Sequence, residues 1–378
     1  MDRKVKFVEP ARLYLIIKEE LDAAYFEVMS KGDLIDREQL RSFEANLAAF
    51  VGTKYAVGLN SGYDALHMSL RAAGIGNGDE VIVPSHTFVA TASAVVNVGA
   101  KPVLVDVGKD FNVDCDKIEE AVTSRTKAII PVHLSGYMAD MVRVMEFAEK
   151  HGLVVVEDAC QSLGSSMVNA DGSKAMAGSW GLTGCWSFYP FKILGGYGDG
   201  GAITTNDPDV ALFATRMRFN GEDRNSGEYH GHGFTCLLDN MQAAFLDVKL
   251  RYLPQWIKRR KVIAEKYQTA LSGLPGLLLP HYDDHRRDHI YQNYTVRSKQ
   301  GNDFSEYLKA RGIEVLTQFR KPYYRHEALK LEDKGFPETE SLSREVCSLP
   351  MNVEIADEEV DYVIEVVRSF YDGVRLTY

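Results

Sequence analysis

The chain has 378 residues, of which 45% are hydrophobic and 25% charged, and its formal charge is −10. This length allows one sizeable core and a second, smaller one, while the acidic balance disfavours nucleic acid and membrane surfaces as partners. The start of the chain does not resemble a signal peptide, and no run is apolar for the length of a membrane span. The five cysteines lack metal-ligand spacing, so we expect reduced thiols in a soluble cytoplasmic protein.

The N-terminal segment, up to about residue 55, is predicted to be largely helical. Apolar residues recur there at helical spacing, at Leu13, Ile16, Ile17, Leu21 and Ala24. From Asn60 onward, short apolar runs typical of strands alternate with segments of helical length. These runs are residues 80–84, 102–107, 128–133, 154–159, 185–189 and 201–205. The alternation predicts an α/β fold with a mostly parallel sheet covered by helices on both faces.

The C-terminal third begins with a long predicted helix, residues 240–271, which contains Trp256 and the basic run 258–261. We interpret the basic run as a solvated helix face. Beyond it, a strand at 291–296 and helices at 303–310 and 357–371 are typical of a small α+β domain. The expected division is a large domain over residues 1–250, followed by the linking helix and small domain over residues 251–378.

Lys192 lies in the run WSFYPFKILGGYGDGG, with aromatic residues before it and glycines after it. That setting suits a lysine that forms and breaks an imine, since such an amine must be partly desolvated to act as a nucleophile. Upstream, the buried strand at 154–159 delivers Asp158 at its C-terminal end, where ligands bind in open α/β sheets. An aspartate there is the partner that a protonated pyridine nitrogen needs, so the pair predicts a pyridoxal phosphate site.

Two further segments have the chemistry of a phosphate and ring site. Ser61 and Gly62 stand where a loop enters a helix, so their amides and the serine hydroxyl are candidates to hold a phosphate. Simple N-capping by Ser61 is the alternative interpretation. Phe88 follows a predicted strand and is placed to lie against a cofactor ring, although such aromatics more often belong to a core.

Two other motifs do not fit the functions that they superficially resemble. The glycine run at 195–201 precedes a strand instead of joining a strand to a helix, which argues against nicotinamide binding. His230 and His232 have no further His or Cys cluster nearby, which argues against a metal site. The histidines are interpreted as a substrate-facing or exposed loop.

Taken together, these segments resemble the DegT/DnrJ/EryC1/StrS family. The motifs that carry the resemblance span nearly the whole chain in the family's order: residues 61–66, 83–91, 157–164, 187–192, 198–201 and 347–351. Members of that family are mostly pyridoxal phosphate aminotransferases that act on nucleotide-linked keto sugars. The resemblance implies the aspartate aminotransferase fold, also called fold type I of the pyridoxal phosphate enzymes.

By position, the resemblance also implies residue roles. Lys192 would be the Schiff-base lysine and proton carrier, Asp158 would pair with the ring nitrogen, and Gln161 would reach the ring hydroxyl. Phe88 would stack on the ring. The phosphate would be surrounded by Ser61, Gly62, Tyr63 and Ser187.

Two departures from the family pattern affect the phosphate site. Tyr63 stands where the family usually has threonine, so a contact there would use the backbone amide. Thr235 stands where an asparagine usually crosses the dimer interface to the partner's phosphate, and Leu237 stands where an arginine is common. A homodimer with shared active sites is implied, with a shorter reach at Thr235.

The resemblance implies transfer of an amino group from L-glutamate to a nucleotide-linked keto sugar, with a 3-keto sugar favoured over a 4-keto sugar. The pathway would make amino sugars for a surface polysaccharide, such as lipopolysaccharide O-antigen, or for a glycosylated natural product. Anionic substrates need local cations. The candidate substrate-binding residues are His232, Arg218, Arg224, Arg320, Lys321 and Arg325. The alternatives are a pyridoxamine-phosphate-dependent sugar dehydratase, against which Lys192 argues, and a noncatalytic regulatory protein that binds pyridoxal phosphate.

Overall fold

The computed structural model of the chain describes residues 4–169, 171–280, 282 and 284–375. Its helices are α1 Pro10–Ile16, α2 Lys18–Lys31, α3 Glu38–Val51, α4 Gly62–Ala72, α5 Val89–Asn97, α6 Met141–His151, α7 Pro208–Met217, α8 Asn240–Leu271, α9 Gly301–Ala310, α10 Pro337–Glu345 and α11 Asp357–Arg375. Its strands are β1 Tyr55–Leu59, β2 Glu80–Pro84, β3 Lys101–Val105, β4 Thr126–Ile129, β5 Val154–Asp158, β6 Ser166–Val168, β7 Lys174–Met176, β8 Thr183–Ser187, β9 Gly201–Thr205, β10 Glu222–Asp223, β11 Glu228–Tyr229, β12 Leu277–Leu278, β13 Arg287–Asp288, β14 Tyr294–Ser298 and β15 Val346–Leu349.

A seven-stranded sheet in the order β1-β9-β8-β5-β4-β2-β3 forms the centre of the molecule. β9 runs antiparallel to both of its neighbours, whereas β8, β5, β4, β2 and β3 pair in parallel. Every residue of β2 and of β9 is buried, because helices cover both faces of the sheet. The predicted α/β fold with a mostly parallel sheet is therefore confirmed.

The edge strand β1 was missed, since the helical prediction ran up to about residue 55. Its sequence, Tyr-Ala-Val-Gly-Leu, contains Gly58, and glycine is unfavourable in a strand. The structure explains the glycine: a Cβ built at Gly58 would lie 2.9 Å from Cδ1 of Leu40 on α3. Close packing of a helix against this edge is the reason that the strand carries no side chain there.

The N-terminal helical prediction is confirmed, but the helix breaks at Ile17, where φ is −120°. Ile17 and Leu21 are buried, whereas Ile16 is 61% exposed, so the apolar spacing continues across the break while the buried face changes. α2 and α3 both pack on α8.

The long helix α8 matches its predicted bounds and connects two hydrophobic cores. Its first half contributes Leu246 and Trp256 to the core beneath the large sheet. Its last turns contribute Ile263 and Tyr267 to a separate core with α9, α11 and the antiparallel sheet β12-β14-β15. The predicted domain boundary at 250 and 251 falls inside this helix, and the division into domains stays a prediction.

The interpretation of residues 258–261 as a solvated face was wrong for Arg260. Its guanidinium is buried and donates from Nη1 to the backbone carbonyls of Tyr291 and Gln292, at 3.0 and 3.1 Å. Burial lowers the pKa of Arg260 to about 10. The described helices include none long and apolar enough to cross a membrane.

Candidate active site

Asp158 and Lys192 come from two neighbouring parallel strands at the carboxyl edge of the sheet. Asp158 is the last residue of β5, and it pairs with Cys185 of β8. β8 ends at Ser187, and Lys192 follows five residues later, in a loop where its N–H donates to the Tyr189 carbonyl at 2.8 Å. Because both strands end at the same edge, the structure brings the two predicted residues into one site.

The Asp158 carboxylate is buried and held by two donors. The hydroxyl of Thr91 on α5 donates to Oδ2 at 2.8 Å, and the Cys160 N–H donates to Oδ1 at 3.3 Å. Since the Thr91 hydroxyl gives its proton to the carboxylate, it accepts from the Thr87 hydroxyl, 3.0 Å away. These donors fix the orientation of the carboxylate, and a carboxylate is the partner that a pyridinium nitrogen requires.

The Lys192 amine is set up to lose its proton. Burial lowers the pKa of Lys192, while Cys160 and Asp158 raise it by a smaller amount. A desolvated lysine of this kind is a better nucleophile than a surface lysine, because more of it is neutral near neutral pH.

Behind Asp158, the preceding residue Glu157 points to the other side of the strand and is fully buried. Its carboxylate accepts from the backbone N–H groups of Gly178, Trp180 and Gly181 at 2.7–2.9 Å, and it lies 3.0 Å from Nε2 of His133. Nδ1 of His133 accepts from the Ala139 N–H, so Nε2 carries the proton and donates to Glu157. This group was not predicted from the sequence, in which its one signal is a carboxylate inside an apolar strand.

The phosphate candidates lie at the N-terminus of α4. Ser61 caps this helix: its hydroxyl accepts from the Asp64 N–H at 3.0 Å and donates to the Asp64 carboxylate at 2.7 Å. A Cβ built at Gly62 would lie 2.7 Å from Sγ of Cys160 and 2.8 Å from Cβ of Ser187. The close approach brings the positive helix end against the ends of β5 and β8, so capping and phosphate binding are compatible.

The side chains of the remaining cofactor candidates are placed as follows. Phe88 precedes α5 and is 59% exposed, whereas Gln161 is buried and accepts from the Ser135 N–H at 2.8 Å. The Tyr63 hydroxyl accepts from Asn97, and its ring stacks on His67 at 6.1 Å. A phosphate contact at Tyr63 is therefore left to its backbone amide.

The segment at 230–237 runs along the outside of α4. The Asn60 N–H donates to the Cys236 carbonyl near the start of this helix, and Arg71, near its end, donates to the His232 carbonyl at 3.2 Å. The Thr235 hydroxyl is exposed and donates to Asn220 at 3.0 Å. His232 thus lies at the far end of α4 from Ser61, about 15 Å away by helix length.

The candidate substrate cations have the following partners. Arg218 is buried and donates to Glu44 and to the Gly58 carbonyl, so it ties α3 to β1 and is not available to a substrate. Arg224 pairs with Asp36, Arg325 pairs with Glu340, and Arg320 donates to Ser305 at 2.7 Å. Lys321 is exposed. Of these candidates, Arg218 is the one whose buried ion pair contradicts a substrate role.

A desolvated lysine and a buried carboxylate at adjacent strand ends, beside a helix N-terminus, are the arrangement of a fold type I pyridoxal phosphate enzyme. The sequence profile of the DegT/DnrJ/EryC1/StrS aminotransferase family matches residues 15–368, and the chain belongs to this family.

Individual relatives match over almost their whole length. The chain is 40% identical to a dTDP-3-amino-3,4,6-trideoxy-alpha-D-glucose transaminase of Streptomyces venezuelae, over 98% of this chain and 97% of that protein. It is 37% identical to a pleiotropic regulatory protein of Geobacillus stearothermophilus, over 97% and 98% of the two chains. The crystal structure of S. venezuelae DesV with a ketimine intermediate has a TM-score of 0.93 and 38% identity, covering 97% of this chain and 98% of that one.

Pyridoxal phosphate is the cofactor of this family, and solved relatives include forms with its amine, pyridoxamine phosphate. The residues present fit this group. The lack of a side chain at Gly62 lets the N-terminus of α4 pack directly against Cys160 and Ser187, and Lys192 and Asp158 supply a desolvated amine and a buried carboxylate at the same edge of the sheet. The exposed ring of Phe88 lies next to the α5 turn that holds Thr91 and, through it, Asp158.

Proposed function

We propose that the protein transfers an amino group from L-glutamate to a nucleotide-linked 3-keto sugar. The observation that carries the reaction type is the Lys192 amine, whose pKa is lowered by burial, next to the buried Asp158. The sugar and its 3-position are supported by the name of the S. venezuelae relative, a transaminase that makes a 3-amino sugar nucleotide. A 3-keto sugar fits that product better than a 4-keto sugar.

Each residue has a task in this proposal. Pyridoxal phosphate, when bound, supplies an electron sink for breaking the Cα–H bond of the amino acid. Lys192 holds the cofactor aldehyde and then carries the proton between the two carbons, for which a neutral amine is needed. Asp158 keeps the ring nitrogen protonated, and Phe88 stacks on the ring.

The phosphate is bound by the amides of Gly62 and Tyr63 and by the hydroxyls of Ser61 and Ser187. Gln161 orients the ring hydroxyl. The Ser61 hydroxyl has one proton, which it donates to Asp64 in the structure, so it must turn from Asp64 to reach the phosphate and the backbone amides carry most of this contact.

The working unit in this proposal is a homodimer with shared active sites. In support, the loop at 229–235 is exposed, with Tyr229 at 69% and Phe234 at 38% exposure, and within its own chain it lies along the outside of α4. Thr235 and His232 on this loop would then serve the partner's site. Arg224, Arg320, Lys321 and Arg325 remain candidate contacts for the nucleotide diphosphate.

The proposed setting is a cytoplasmic pathway that makes amino sugars for a surface polysaccharide such as O-antigen, or for a glycosylated natural product. Neither nucleic acid nor a membrane is a partner in it. The net charge of −10 supports this, since it opposes binding to either polyanion.

The first experiment follows the visible absorption of the purified enzyme with pyridoxal phosphate, before and after adding glutamate. We expect glutamate to convert the lysine-bound band to the band of the amine form, and a keto sugar to restore the first band. A dehydratase would instead need pyridoxamine phosphate, and a noncatalytic regulator would bind the cofactor without glutamate-dependent change. Either result would overturn the proposal.

A second experiment addresses the sugar. The amine form is offered a panel of 3-keto and 4-keto sugars linked to uridine, thymidine or guanosine diphosphate, and the return of the first band is timed. We expect the fastest return with a 3-keto sugar. Faster return with a 4-keto sugar would contradict the assigned position while leaving the reaction type in place.

A further inference from the structure

The two peptide groups that flank Lys192 are both bound by one side chain from the distant segment before β14. The carboxamide of Gln292 donates from Nε2 to the Phe191 carbonyl at 3.0 Å and accepts at Oε1 from the Ile193 N–H at 2.7 Å. Gln292 is buried, with 6% of its surface exposed. The backbone on either side of Lys192 is thereby fixed at two points.

Gln292 is itself held in place. The buried Arg260 of α8 donates to the carbonyls of Tyr291 and Gln292. On the other side, the backbone of Gln292 lies against Gly136: a Cβ built at Gly136 would lie 2.7 Å from the backbone nitrogen of Gln292. Tyr291 has a φ of +54°, a left-handed conformation that is costly for a tyrosine and that persists only where surrounding contacts enforce it.

We propose that Gln292 is a positioning residue for Lys192, whose carboxamide sets the direction in which the lysine side chain leaves the loop. Three observations support this role. The loop at 188–200 contains glycines and has little regular structure, and its own bond at Lys192, from the Lys192 N–H to the Tyr189 carbonyl, leaves the Phe191 carbonyl and the Ile193 N–H to Gln292. The two hydrogen bonds of Gln292 join the residues immediately before and after Lys192, Phe191 and Ile193. The chain of contacts from Arg260 through Gln292 links the Schiff-base loop to the helix that joins the two cores.

The chemistry of the two partners requires a carboxamide. Phe191 offers a carbonyl, which needs a donor, and Ile193 offers an N–H, which needs an acceptor. A glutamine satisfies both, whereas an ionised glutamate has no donor and repels the carbonyl. A protonated glutamate again offers one O–H donor and one carbonyl acceptor. Low pH should therefore restore both hydrogen bonds, and with them the reaction rate, in Gln292→Glu.

The test rests on the proposed function and uses the full-length enzyme loaded with pyridoxal phosphate. It compares Gln292→Leu and Gln292→Glu with Gln242→Leu and Gln242→Glu. Gln242 is the matched control, because it also binds this loop, accepting from the Tyr197 N–H at 2.8 Å, but does not flank Lys192. The readouts are the pH midpoint of the lysine-bound absorption band and the rate and saturation of its conversion by glutamate.

We expect Gln292→Leu to slow the glutamate conversion by about tenfold to a hundredfold, because small displacements of a reacting group have effects of this size. The glutamate concentration for half-saturation should change little, and the pH midpoint of the band should move. Gln292→Glu should resemble the wild type near pH 5 and lose its rate as the pH rises. Neither Gln242 variant should show these changes.

Equal behaviour of the Gln292 and Gln242 variants in both readouts would overturn the proposal. If Gln292→Leu does not fold, the two glutamate variants decide the question, since only Gln292→Glu should show repair by acid. A wild-type enzyme that forms no Lys192-dependent band would refute the proposed function instead. The two failures are therefore distinguishable.

Discussion

Lys192 owes its expected reactivity to two opposing influences on one ammonium group. Burial lowers its pKa, and the carboxylate of Asp158 with the thiol of Cys160 raises it by less. The net result is a Lys192 amine that is easier to deprotonate than the amine of a surface lysine. The Asp158 carboxylate at the same edge of the sheet is available to a cofactor.

The first prediction is that Lys192→Ala abolishes transamination while the fold is retained. The alanine removes both the amine that holds the cofactor and the base that moves the proton, so the lysine-bound absorption band should also be lost. Activity can be measured with glutamate and a keto sugar, and folding by circular dichroism. More than a few per cent of the wild-type rate, without added amine, would contradict the assignment.

The second prediction concerns the hydroxyl that holds Asp158. Thr91→Val keeps the shape of the buried side chain but removes the 2.8 Å bond to Oδ2. A hydrogen bond to a charged group contributes about 1.5–3 kcal/mol, so we expect the glutamate conversion to slow by about tenfold or more. Thr91→Ser, which keeps the hydroxyl, should restore most of the rate. Equal rates for Val and Ser would show that Thr91 acts only through packing.

At this scale, what could be predicted depended on whether a residue's partners lie close to it in the sequence. Lys192 and Asp158 were found because the residues around them already show a glycine-rich loop after aromatic residues and a strand end. Gln292 was missed and Arg260 was misinterpreted, because their partners are backbone groups of segments 99 and 32 residues away, respectively. Arg218 was misassigned for the same reason, since its partner Glu44 is 174 residues distant.

At the scale of elements, the end of β5 joins the active site to the interior of the sheet. Alternation along the strand sends Asp158 towards the cofactor side and Glu157 to the opposite side. The Glu157 carboxylate binds the turn at 178–181 and the His133 ring. The Asp158 carbonyl accepts from the backbone N–H of His133 at 3.1 Å. The strand end is thus fixed on both faces. Six strands of the large sheet could be predicted from their apolar runs, but this turn has no regular pattern to reveal it.

The third prediction is that Glu157→Gln destabilises the protein without touching the cofactor. The new amide would face backbone N–H donors that now meet a carboxylate, so at least one buried donor loses its partner. We expect a loss of about 3 kcal/mol and a thermal midpoint lower by about 4 °C, measured by calorimetry. Glu119→Gln is the control, since this exposed carboxylate pairs with Lys150 and His151 and should change the midpoint little.

At the scale of the whole molecule, two buried histidines predict how acid affects stability. Burial lowers the pKa of His86 to about 4 and that of His289 to about 3. Below about pH 6.5 the unfolded chain takes up protons on these rings and the folded chain does not, so stability falls as the pH drops towards 4. Near neutral pH both forms are neutral and the histidines have no such effect.

The fourth prediction therefore compares His86→Gln with the wild type across this range. As the pH falls from 6.5 to 4, the wild type should lose about 1.4 kcal/mol of unfolding free energy per pH unit relative to the variant. Above pH 7.5 the difference in unfolding free energy between the two proteins should stay constant. Urea unfolding at each pH provides the measurement. A pH-independent difference would show that His86 is protonated alike in both states.

The fifth prediction tests whether two chains build one site. Mixing a Lys192→Ala chain with a chain carrying Thr235→Ala and His232→Ala should restore activity, because one site of each hybrid dimer receives an intact lysine and an intact loop. Random exchange makes half of the dimers hybrid, each with one good site of two, so the recovered activity approaches about a quarter of the wild-type value. The two variants incubated apart give the baseline. A fully active monomer in light scattering would refute the dimer, whereas a dimer without recovery would refute only the shared site, and would return Thr235 and His232 to a role on the surface of their own chain.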